Sequence, residues 1–127
     1  MKKNLIFSLF LTTLILVMAA CNKEEERTCN LTAGPDQPFQ TMTVVYSAVQ
    51  TGDGVISSLT YYTSATDMVT VTNPQLPWSV TVTVDPGTNV MISATGTVKN
   101  GSLNVSYEGT AAGEYISGND LCSQEQE

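Results

Sequence analysis

Twelve carboxylates and no histidine set the limits on the chemistry of this chain. A pair of Asp or Glu side chains can hydrolyse a glycosidic bond, one as acid and the other as base or nucleophile. Glu108 and Glu114 fall near the last predicted strands. Asp36, Asp53, Asp67, Asp85 and Asp120 fall in predicted turns or loops, where a carboxylate ordinarily closes a turn and faces water. Proton transfer near neutral pH most often falls to histidine, so Ser-His and Cys-His nucleophile arrangements are excluded. The sequence has no Gly-Lys-Ser or Gly-Lys-Thr phosphate cradle, and Gly52-Asp53-Gly54 is only a fragment of a calcium loop. The expectation is a non-catalytic protein without metal or cofactor; a carboxylate-dependent glycosidase is the enzymatic alternative.

The three cysteines carry more information. Lys2 and Lys3 precede an apolar stretch from Leu5 to Val17, too short for a comfortable membrane span but of signal-peptide length. Met18-Ala19-Ala20 then places small residues before Cys21. This resembles the bacterial lipoprotein signal, which implies removal of residues 1–20 and acylation of Cys21. Each buried methylene of such a lipid contributes about 0.8 kcal/mol to membrane binding. Behind it, Lys23, Glu24, Glu25 and Glu26 resemble the export signal of Bacteroidota surface lipoproteins, which implies an outer-membrane protein facing out; the plain alternative is a solvated charged spacer. Cys29 and Cys122 remain. In an oxidising compartment they suggest a disulfide; the alternative is two free thiols, and two cysteines alone do not make a zinc site.

Removing residues 1–20 leaves 107 residues, enough for one small domain. Three basic residues then face 12 acidic ones, a net charge of −9. Such a surface repels nucleic acid and anionic headgroups. The expected partners are the membrane, through the anchor, and a protein or glycan ligand.

Residues 21–37 are polar and broken by Pro35, and read as lipidated cysteine and tether; 38–122 form the domain, and 123–127 a disordered tail. From Gln40 apolar residues alternate with Thr and Ser. Met42, Val44, Tyr46 and Ala48 share one face; Ile56, Ser58, Thr60 and Tyr62 oppose Ser57, Leu59 and Tyr61; Val69 and Val71 alternate with threonines. Trp78, Val80, Val82 and Val84 face away from Ser79, Thr81 and Thr83, and Val90 to Gly96 and Leu103 to Tyr107 continue the pattern. A period of two means strands with one buried face. Turn residues punctuate them at Thr51-Gly52-Asp53-Gly54, Asn73-Pro74, Asp85-Pro86-Gly87 and Asn100-Gly101, the last a strong hairpin signal. Six or seven such strands predict an antiparallel β-sandwich. One of the adjacent Tyr61 and Tyr62 must point outward, and Tyr115 is placed to fill a corner between strands.

Leu76-Pro77-Trp78-Ser79 follows a Val44–Tyr46 strand and a Leu59–Tyr62 strand, and precedes Ile92-Ser93-Ala94, a hairpin into Leu103–Tyr107 and a Glu108-Gly109 turn. This order, over residues 41–122, resembles the mycobacterial MmpS membrane-protein family and its relatives among Bacteroidota lipoproteins. The resemblance implies an immunoglobulin-like sandwich of about seven strands on the extracytoplasmic side of a membrane anchor, and an accessory role beside lipid or siderophore exporters. Here the expected anchor is a lipid, and Val105-Ser106-Tyr107 stands where the family has a cysteine; Cys122 matches the C-terminal family cysteine, and the resemblance implies Cys29 as its partner. Pro77 suits a strand start, and Trp78 is expected in the core; the alternative is an aromatic platform for sugar or lipid.

Overall fold

Alternation of apolar and hydroxyl side chains gives eight strands: β1 (Arg27–Asp36), β2 (Met42–Gly52), β3 (Val55–Tyr62), β4 (Met68–Thr72), β5 (Trp78–Val84), β6 (Val90–Val98), β7 (Gly101–Ala111) and β8 (Glu114–Gln124). The computed structural model describes residues 25–125. They form two antiparallel sheets, β1-β6-β3-β4 and β5-β2-β7-β8, and contain no helix. The expected signal peptide, Cys21, Lys23 and Glu24 lie outside the described residues.

The inner faces match the period-two assignment closely. Val44, Tyr46, Ala48, Leu59, Val90, Ile92, Leu103 and Val105 are fully buried between the sheets. β2 pairs with β5 and β3 with β6, as strands B–E and C–F do in immunoglobulin sandwiches. At the margins the order differs: β7 lies beside β2, where a first strand would lie, and β1 lies beside β6, where a last strand would lie.

The strands number eight, in keeping with the seven or so expected, and several details are corrected: β1 occupies the segment expected to be tether. Cys29, Leu31 and Ala33 alternate inward there. Pro35 does not end the strand, because it sits at an irregularity between Ala33 and Asp36 where no ladder bond is lost. At the other end β8 continues through Gln124, past Cys122. In β3 an irregularity between Ile56 and Ser58 switches the face, so Ile56 joins Leu59 and Tyr61 in the core. In β4, Val71 packs on the core and Val69 is exposed.

Asn100-Gly101 is not a hairpin between paired strands. β6 belongs to one sheet and β7 to the other, so this turn crosses the sandwich. It lies against the Gly52–Gly54 turn, which crosses in the opposite direction. Gly101 pairs with Gly52, and a Cβ on either would collide with the Thr51 or Asn100 carbonyl oxygen. The β7–β8 hairpin instead turns at Ala112-Gly113, with Gly113 at φ 78°, while Glu108-Gly109 lies inside β7.

Candidate functional site

Of the carboxylates considered for chemistry, Glu108 is exposed on β7, and the others are spread over the molecule and engaged in holding it together. Asp53 Oδ1 accepts hydrogen bonds from the Lys99 and Asn100 backbone N–H groups, at 3.0 and 2.9 Å, fastening the two crossing turns to each other. These two amides hold its carboxyl below the usual range. Glu114 accepts from the Phe39 N–H at 3.0 Å, and Asp67 and Asp85 accept from the hydroxyls of Ser64 and Thr41. Asp36 and Asp120 lie in strands β1 and β8, not in turns as expected; the end of β1 and the whole of β8 carry too few apolar residues to signal a strand.

Asp36 and Asp120 belong to the seam where β1 meets β8. The Tyr107 hydroxyl donates to Asp36, and Asp120 Oδ2 accepts from the Thr32 backbone N–H at 3.0 Å. Arg27 reaches across to the Ser123 carbonyl at 2.7 Å. The Cys29–Cys122 disulfide joins the same two strands across 93 residues of sequence. Burial, then the bond to Asp36, raises the Tyr107 phenol well above its ordinary value. Burial likewise pushes Tyr46, whose hydroxyl donates to the Tyr62 carbonyl, up to about 12. One side of the sandwich is therefore closed by a covalent bond and three polar links.

The opposite side, between β4 and β5, is built from apolar surface. Pro77 precedes β5, as expected. Trp78 enters the sandwich, half-buried, with its ring 5.5 Å from that of Tyr61, which in turn lies 5.2 Å from Tyr46. Val80 and Val82 are half-buried beside it, and Ser79 is exposed. Tyr62 is the outward member of its pair. Tyr115 is 60% exposed and fills no corner, because position 115 alternates to the outer face of β8.

The feature that sequence reasoning missed is the outer face of the β1-β6-β3-β4 sheet. Backbone register aligns Asn30, Thr95, Ser58 and Thr72 in one row across all four strands, and Thr32, Ser93, Thr60 and Thr70 in the next. Asn30, Thr32, Ser58, Thr60, Ser93 and Thr95 line a shallow groove that contains no charged side chain. Within the rows Thr95 Oγ1 donates to Asn30 Oδ1 at 3.4 Å, and the Thr60 and Thr70 hydroxyls lie 3.1 Å apart. The threonine alternation was visible in the sequence, but the rows depend on long-range register.

Of the expected site residues, Cys29 and Cys122 are brought together, Leu76 to Ser79 lead into β5, and Glu25 and Glu26 are exposed ahead of β1. Among the described residues no cluster of three or more Asp, Glu or Cys could hold a metal ion. No family model, curated protein or solved structure matches the chain.

Proposed function

We propose that this chain is a non-catalytic binding module, held on the outer membrane by an acylated Cys21 and facing outward, that takes an uncharged polyhydroxyl ligand on its β1-β6-β3-β4 sheet. The observation that carries this reading is the pair of cross-strand rows of hydroxyl and amide groups lining an uncharged groove. A hydroxyl both donates and accepts, so such a surface can mirror the alternating donors and acceptors of a sugar. The net charge of −9 beyond residue 20 disfavours acidic glycans and favours neutral ones. Engagement of the carboxylates in structural hydrogen bonds supports the non-catalytic part.

Affinity electrophoresis of the detergent-extracted full chain through amylose, dextran and mannan tests the ligand class, with polygalacturonate as the acidic control. Retardation by a neutral polymer that is lost in Ser93→Arg is expected. Retardation unchanged by Ser93→Arg, or by the acidic polymer alone, would count against the groove. The competing role, a periplasm-facing exporter accessory, draws on the Leu76-Pro77-Trp78-Ser79 element and the bonded Cys122. It requires the opposite orientation in the envelope.

A further inference from the structure

A sandwich of two open sheets has four edge strands, here β1, β4, β5 and β8. An edge presents unpaired N–H and C=O groups and ordinarily carries a device against pairing with other chains. β1 and β8 are linked to each other by the disulfide, by Arg27 and by the inward carboxylate of Asp120. β4 is only five residues long. β5 carries none of these devices. Its seven residues, Trp-Ser-Val-Thr-Val-Thr-Val, contain no charge, no proline and no glycine, and β2 pairs with it on one side only.

β5 also contains a palindrome. Val80-Thr81-Val82-Thr83-Val84 reads the same in both directions about Val82. An antiparallel strand of identical sequence, related by a two-fold axis at Val82, sets Val82 against Val82 of the copy, Thr81 against Thr83, and Val80 against Val84. Side chains directly opposite in an antiparallel pair share a face. Every valine would thus meet a valine on the inner side and every threonine a threonine on the outer side. In the same register Ser79 faces Asp85 of the copy, so no like charges oppose each other despite the acidic surface. Val80 and Val82 are only half-buried, whereas inner-face residues of the central strands are fully buried. Met68 and Val69 leave exposed apolar surface on β4, at the same margin.

We infer that β5 is a homodimer edge: two copies of this chain pair through Val80–Val84 about a two-fold axis at Val82, joining their β5-β2-β7-β8 sheets into one. A closed, isologous pair removes both open edges and stops there, unlike a head-to-tail contact. This inference is independent of the ligand groove, which lies on the other sheet.

The test is register-specific cross-linking in cells expressing the full chain under mild oxidation. Thr81→Cys carries one epitope tag and Thr83→Cys a second. Opposed Cβ atoms lie within disulfide reach and diagonal ones do not, so co-expression is expected to give a doubly tagged dimer roughly tenfold more abundant than either variant gives with itself. The unsubstituted chain controls for Cys21. Adding Val82→Lys, an inward charge of the kind that protects edges, is expected to abolish the dimer while the Cys29–Cys122 bond persists. Absence of the doubly tagged dimer, or equal yields from the single variants, would overturn the inference. A cross-link to a different protein in place of the dimer would also overturn it, and would assign the edge to a foreign strand.

Discussion

Asp120 and Thr32 face each other across the two sheets: a carboxylate on the inner side of β8 accepts the backbone N–H of β1 at 3.0 Å. The bond does two things. It satisfies a donor on an edge strand, and it places a charge where an intruding strand would have to pair. Asp120→Ala is expected to cost about 1 kcal/mol of stability and to speed hydrogen exchange at the Thr32 amide more than at the Leu59 amide. Unchanged protection of Thr32 would mean that water or another group serves the donor equally well.

The Cys29–Cys122 bond closes nearly the whole domain into one loop, 93 residues in sequence separation. In the chain-entropy model a loop of that length contributes about 4–5 kcal/mol. For a domain of this size, Cys122→Ser or full reduction should lower Tm by about 20 °C. A melt insensitive to reductant would show that β1 and β8 hold the seam without it.

Asp53 links pH to the two crossing turns. Its folded pKa is lowered, first by the Asn100 and then by the Lys99 backbone N–H. The unfolded chain therefore binds this proton more readily, and the stabilisation is present above the ordinary carboxylate pKa and lost as pH falls through the lower folded value. Acid titration of Tm should show a shallower acid limb in Asp53→Ala than in the parent. Superimposable limbs would mean that Asp53 contributes nothing to the acid dependence of stability.

Tyrosine works in the opposite direction. The Tyr46 phenol is raised from 10.0 to about 12 by burial, so its contribution is complete below pH 10 and lost as pH rises through about 12. Phenolate absorbance of the folded chain should show late titration that diminishes in Tyr46→Phe and again in Tyr107→Phe. Titration of all tyrosines near 10, with the fold intact, would contradict the buried placement.

The core was legible where apolar residues recur at every second position. Met42 to Ala48 and Leu103 to Tyr107 carry their own periodicity, and the structure keeps every one of those faces. β1 was not legible, because Leu31 and Ala33 sit among polar residues ahead of Pro35. Asn100-Gly101 signals a turn but not which sheet each strand joins; that depends on β7 finding β2, far away in sequence. The hydroxyl rows are a property of register between β1, β6 and β3, so no local pattern announces them. Cysteine usage pointed to the Cys29–Cys122 pair because, with Cys21 expected to carry a lipid, only those two cysteines remain.

The proposed function sets the domain outside the cell on a lipid tether. Protease treatment of intact cells bearing a C-terminally tagged copy, beside a periplasmic control protein, tests it most directly. The tag is expected to be shaved while the control survives, and Cys21→Ser is expected to move the protein to the soluble fraction. A tag protected until the outer membrane is breached would contradict the outward orientation, reduce Lys23 to Glu26 to a spacer, and favour the periplasmic accessory role.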